Sequence, residues 1–153
     1  MIETLNAFAK YMQTAENIEL TVMQANSNGH LVLPSLVYQI VQSKPYRAAE
    51  GYATSLVLWQ VDLYCDQMQG DLVRGYDNLV FLSTCLNTWL QTYPPRGMVN
   101  PNSQNVVFVP HTPGDKITYI RCTHRFELMD NREYQLKLPS VDEFEVEANQ
   151  IGN

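Results

Sequence analysis

Glycine is scarce in this chain, with seven in 153 residues. None of the G-x-x-x-x-G-K-[ST], G-x-G-x-x-G or G-x-S-x-G patterns is present, so no phosphate-cradling loop or nucleophile elbow is expected. Cysteine is scarcer still. Cys65, Cys85 and Cys122 are an odd number at wide spacings without a C-x-x-C pair, which speaks against a disulfide framework and a zinc knuckle. Each falls within an apolar periodic segment and is read as a small buried hydrophobe. The histidines, His30, His111 and His124, include no pair at metal-ligand spacing and no H-E-x-x-H, so no catalytic metal and no cofactor are expected. Positive charge is short as well. Ten Lys and Arg stand against sixteen Asp and Glu, for a formal net charge of −6, with no basic cluster to grip a phosphate backbone. Apolar runs break well before the roughly 20 residues that cross a bilayer. The start, MIETLNAFAKYMQ, has neither the basic n-region nor the apolar h-region of a secretory signal, so synthesis and retention in a cytoplasm are expected.

What remains is a chain that is 45% hydrophobic, enough for one core but not for two comfortable domains. A single domain over 1–139 is expected, followed by an acidic C-terminal tail, 140–153. Ile2, Leu5, Phe8, Ala9 and Met12 recur at helical spacing and predict a short N-terminal helix. Alternation over 17–23 suits a short strand, and the ANSNGH stretch at 25–30 is turn chemistry. Two strand-like segments follow, LPSLVYQIVQ over 33–42 and SLVLWQVDLYC over 55–65. The connection SKPYRAAEGYAT between them reads as a long loop because Pro45 and Gly51 interrupt it. From Asp71 to Gln91 the period changes to 3.6, with Leu72, Tyr76, Leu79, Leu82 or Ser83, Leu86 and Leu90 on one face and Asp71 placed to cap the start. NVVFVP over 105–110 and ITYIRCTHRFELM over 117–129 read as a second hairpin. The fold class expected is α+β: a two-layer domain whose antiparallel sheet of two hairpins packs against a long helix and a short N-terminal helix.

Candidate chemistry is thin. On the second strand Val57, Trp59, Val61, Leu63 and Cys65 define a core face, and Gln60, Asp62 and Tyr64 a face toward water or a partner. Asp62 and Asp66 share that side and form a conceivable carboxylate pair for acid and base work. An exposed Asp on a solvent face is the plainer reading. His124 shares the apolar face of its strand and is read as a core-edge imidazole with one hydrogen-bond partner, with a pH-sensitive contact as the alternative. Contact surface is better supplied, since nine tyrosines and two tryptophans accompany only 17% charged residues, a composition that interfaces favour. In the tail, Glu143, Phe144, Glu145, Val146 and Glu147 alternate like a strand with one apolar and one acidic face. Such a segment can add an edge strand to a neighbouring subunit; a solvated terminus is the alternative.

The succession LPSLVYQIVQ, a Gly51-containing connection, WQVDLYC, a long helix and a closing TYIRCTHRFEL resembles the tail terminator or tail completion proteins of long-tailed bacteriophages, the minor tail protein U type among them. Pro34 with Val37 and Tyr38 matches the proline-started strand ending in a valine-tyrosine pair, and the likeness runs over roughly 1–130. The acidic extension after Met129 and the 92–104 linker are both longer than in that pattern. The resemblance implies a non-enzymatic virion protein of the tail-neck region, assembled in the host cytoplasm. It would cap the tail tube as a closed homo-oligomeric ring, hexameric by analogy with the six-fold tube. Its implied partners are itself, the tail-tube protein and a head-neck connector, with DNA only passing through the lumen and no membrane. Subunit or partner contacts are expected at Gln60, Asp62 and Tyr64, at Tyr46, Arg47 and Glu50 in the 44–53 loop, and at Glu143, Phe144, Glu145 and Val146 in the tail. A head-completion or other neck connector is the nearest alternative. A small ligand-binding or enzymatic α+β domain, drawing on His124, Cys122 or Asp62, is the alternative from a different class.

Overall fold

A computed structural model of the chain describes residues 1–49, 52–66, 72–100, 105–109 and 119–130. The tail residues Glu143, Phe144, Glu145 and Val146, together with Glu50, Asp71 and His111, lie outside the described residues. The elements in order are α1 (Ile2–Glu16), β1 (Thr21–Gln24), β2 (Ser35–Ala49), β3 (Tyr52–Asp66), α2 (Leu72–Thr92), β4 (Met98–Val99), β5 (Asn105–Phe108) and β6 (Tyr119–Asp130). Six strands form one sheet in the order β1-β2-β3-β6-β4, with β5 also paired to β6. Among the described residues, two helices and this sheet make a small α+β domain.

Helix α1 forms because Leu5, Phe8 and Met12 repeat at helical spacing, and all three are buried. It ends where Asn17 adopts a left-handed conformation, φ 54°, and the Ile18 N–H closes onto the Met12 carbonyl at 3.2 Å, a left-handed C-terminal cap. Helix α2 buries Leu79, Leu82, Leu86 and Leu90, the stripe that its 3.6-residue period assigns to the core. Pro94 and Pro95 follow directly and cannot extend it. Both helices contribute to the same cluster as the sheet residues Leu36, Val61, Leu63 and Cys122, so the core lies between the helices and one sheet face.

The sheet register sorts the two faces. Leu36, Leu63 and Cys122 lie side by side, as do Tyr38, Val61 and His124, and then Ile40, Trp59 and Phe126. These rows alternate with Val37, Asp62 and Thr123, and with Gln39, Gln60 and Arg125, which belong to the opposite face.

Several expectations need correction. The sheet is mixed, because β1 pairs with β2 in parallel over Thr21↔Ser35 to Gln24↔Tyr38. The 25–34 connection carries the chain back along β1 before β2 sets out in the same direction, so no hairpin forms there. The expected 44–53 loop is mostly strand, since pairing continues to Ala49↔Tyr52, with register shifts between Ile40 and Gln42 and between Pro45 and Arg47. Tyr46 and Arg47 are therefore strand residues. Proline is tolerated at 45 because no strand among the described residues pairs with β2 on its other side at that point, and a bulge follows. A two-residue strand, Met98–Val99, stands in the Pro/Asn-rich 92–104 linker. It is set by Gly97, whose φ is +83° and whose carbonyl accepts the Met129 N–H at 2.7 Å.

Candidate functional site

Of the groups considered for chemistry, the structure places Asp62 on one face of the sheet and His124 with Cys122 on the other. His124 lies deep in the core at 0% exposure, not at its edge. Its Nε2 is 3.0 Å from Ser83 Oγ on α2 and 3.8 Å from Cys122 Sγ, while Nδ1 has no partner among the described residues. Burial pushes the imidazole down to about 4, against a smaller upward pull from Asp62. Burial pushes the Cys122 thiol up to about 11 and the Cys65 thiol up to about 12, the latter raised further by Cys122 and Asp66. Both members of the Cys122–His124 pair are therefore held neutral near pH 7. A nucleophilic cysteine needs the reverse, a thiolate in an electropositive and accessible setting. Cys85 differs from the expectation of burial: it is only half-buried, with its thiol raised by partial burial and by Glu16.

Asp62 is also not the exposed carboxylate that alternation suggested. It is 4% exposed, because neighbouring side chains close over it. Thr123 Oγ1 donates to its Oδ1 at 2.5 Å, and Gln60 Nε2 reaches both oxygens at 3.2 and 3.1 Å. Gln60 Oε1 in turn accepts from Arg125 Nε at 3.1 Å. One step along, Arg121 Nη1 donates to Tyr64 OH at 3.2 Å, and Tyr64 meets Tyr119 edge-on with centroids 5.1 Å apart. The Tyr64 contact raises the Arg121 pKa. Gln60, Asp62 and Tyr64 thus share a face, as the two-residue period indicated, but as members of a cross-strand polar ladder. Asp66 is exposed at the strand end, and no bond joins it to Asp62. Among the described residues no group of three or more His, Cys, Asp or Glu could hold a metal ion, and no helix is long and apolar enough to cross a membrane.

Two surfaces stand out instead. On the helix layer, Tyr11 of α1 and Phe81, Thr84, Cys85, Thr88, Trp89 and Thr92 of α2, with Tyr93, line an open groove of about 490 Å³. The hydroxyls of Thr84, Thr88 and Thr92 each donate to the carbonyl four residues earlier, at 2.8 to 2.9 Å. That satisfies them within the helix, so the stripe is effectively apolar. Trp89 anchors it, with Phe8, Tyr11 and Tyr93 rings at 5.9, 5.2 and 4.6 Å. Reading by core periodicity missed this groove because its residues occupy the side of α2 opposite the leucines. The signal was present as aromatic and threonine residues at four-residue spacing where charged ones are usual.

The second surface is the end of the β2–β3 hairpin. Pairing of β3 with β6 stops at Ser55↔Asp130, while Tyr52 to Thr54 still pair with β2. Just before that end, opposite the part of β3 still paired with β6, Ile40, Val41 and the residues from Gln42 to Pro45 are exposed. Tyr46 and Arg47, where contacts were expected, follow directly in β2, and Glu50 lies outside the described residues. Comparison with known proteins finds no family model that matches this chain and no curated protein that matches it by sequence.

Proposed function

We propose that this chain is a structural assembly protein, a tail terminator that caps the tail tube of a long-tailed bacteriophage as a closed ring and offers the surface on which the head joins. The observation that carries the reading is the β2–β3 hairpin: its last pairs, Arg47↔Thr54 to Ala49↔Tyr52, run past the last β6 pairing, and Ile40 to Pro45 of β2, just before them, are exposed. A hairpin that no other strand pairs with at its end, among the described residues, is surface of the kind that neighbouring subunits cover. The apolar groove beside Trp89 adds a second such surface. The groups that an enzymatic reading would use give no support to catalysis, since His124 and Cys122 are sealed in the core and Asp62 is occupied by Thr123 and Gln60. The resemblance over 1–130 supplies the particular assembly. Head-to-tail contact between one surface of each subunit and a different surface of the next closes into a ring when the rotation permits. A six-fold tube end calls for six subunits.

The test is to add the purified chain to polymerising tail-tube protein and follow tube length and tube ends by electron microscopy. Rings at tube ends and arrested growth are expected. Unaltered growth with bare ends overturns the terminator assignment, and binding to a portal or neck protein in the same experiment would reassign the chain to a head-completion role.

A further inference from the structure

Strand β2 is covered on one side only for its first residues. Its ladder with β1 ends at Gln24↔Tyr38, and the last bond on that side is the Ala25 N–H onto the Tyr38 carbonyl at 2.9 Å. On the other side β3 accompanies it to Ala49. Among the described residues, no strand pairs with β2 beyond Tyr38 on the β1 side. An edge of this kind presents backbone donors and acceptors in register, a template for one more strand. Ile40 at 57% and Val41 at 48% exposure add apolar surface beside it. The edge is short by construction. Register shifts follow Ile40 and Pro45, and Pro45 has no N–H to offer. The first shift, at Val41, falls inside the stretch from Gln39 to Lys44, so an added strand has to accommodate the irregularity there; together these features disfavour indefinite edge-to-edge growth and favour one specific segment.

We propose that the β2 edge from Gln39 to Lys44 accepts residues 141–147 of a second copy of this chain as an added strand. The choice of occupant rests on charge and on pattern. β2 contains Lys44 and Arg47 and no acidic residue. Segment 141–147, VDEFEVE, carries Asp142, Glu143, Glu145 and Glu147 around Phe144 and Val146. Its two-residue alternation suits a strand that sets acidic side chains toward one face and apolar ones toward the other. Beyond Asp130, where β6 ends, residues 131–140 reach at most about 35 Å, enough to span to an adjoining molecule. Each copy then carries one donor segment and one acceptor edge, which is the head-to-tail arrangement that closes rings. The inference deepens the ring reading, on which it rests for a second copy as the occupant.

The experiment uses the full-length chain and measures solution mass by light scattering across a concentration series. Four proteins are compared: wild type, Lys44→Glu with Arg47→Glu, Glu143→Lys with Glu145→Lys, and all four changes together. The expected result is a wild-type multimer, a rise of tenfold or more in the concentration for half-assembly in each paired variant, and substantial recovery in the combination. Circular dichroism melts verify folding. Should a variant melt early, the synthetic peptide of residues 140–150 is added to wild type; it disperses the multimer and its scrambled version does not. A wild type that is monomeric throughout overturns the proposal, including the case in which each tail folds onto its own edge. So does a multimer unmoved by the charge reversals, or one indifferent to the peptide. A charge-dependent multimer that ignores tail-tube protein keeps the strand addition and removes the tail-capping assignment.

Discussion

His124 shows how burial decides a residue's chemistry. With 0% exposure and Ser83 Oγ at 3.0 Å, the ring is neutral in the fold, its pKa lowered by burial to about 4 from an ordinary 6.5. The unfolded chain therefore takes up a proton below pH 6.5 that the folded chain refuses until about pH 4. The contribution of this group to stability is complete above pH 6.5, is lost as pH falls toward 4, and is level below that. At about 1.4 kcal/mol per pKa unit, the loss is on the order of 3 kcal/mol. Urea midpoints of wild type and His124→Gln between pH 6.5 and 4 check this, the variant being expected to show the shallower dependence. Equal dependence in the two proteins would mean that another group controls acid stability. Asp62 is the counterpart on the other sheet face: a carboxylate kept out of water but provided with donors from Thr123 and Gln60, as burial of a charge requires.

Among the elements, the two-residue strand β4 depends most on a single position. Gly97 has φ +83°, and a Cβ there would collide with the Met129 carbonyl. Gly97→Ala combines a left-handed backbone penalty with a clash against backbone that is itself bonded to Gly97. A destabilisation of roughly 2 kcal/mol or more is expected. An unfolding free energy, measured in urea, that moves by less than about 0.5 kcal/mol would show that β4 can shift without cost. Helix α2 illustrates a different economy. Its leucines serve the core, while its threonines bond back to their own helix and leave the opposite side apolar. One helix thus supports both folding and a contact surface.

For the molecule as a whole, the buried hydrophobic residues all fall between Leu5 and Leu128 among the described residues. The strand-addition proposal assigns the acidic residues 141–147 to contacts between molecules. Ending the chain after Pro139 is expected to leave the unfolding free energy within about 0.5 kcal/mol of wild type while abolishing the multimer. Thermal melting and solution mass of the truncated protein check both halves. A truncated chain that keeps its multimer would remove the tail from assembly, and one that loses its fold would make the tail part of the core.

The sequence by itself determined where the core faces lie. The spacing of Leu79, Leu86 and Leu90, the alternation of Val61, Leu63 and Cys65, and the placement of Cys122 and Phe126 beside His124 were all legible, because side-chain periodicity follows directly from helix and strand geometry. The turn residues and the double proline also marked real ends of elements. Only the tertiary structure decided what depends on neighbours distant in sequence. Pro45 sits within a strand because no strand among the described residues pairs with that side of it. β1 runs parallel to β2 because the intervening loop returns the chain to the start of β1. Asp62 is buried because Thr123, 61 residues away in sequence, lies beside it, and the Trp89 groove exists because Tyr11 of another helix completes it. Periodicity reports which way each side chain faces along its own element, whereas burial, pairing and concavity are properties of the elements that meet there.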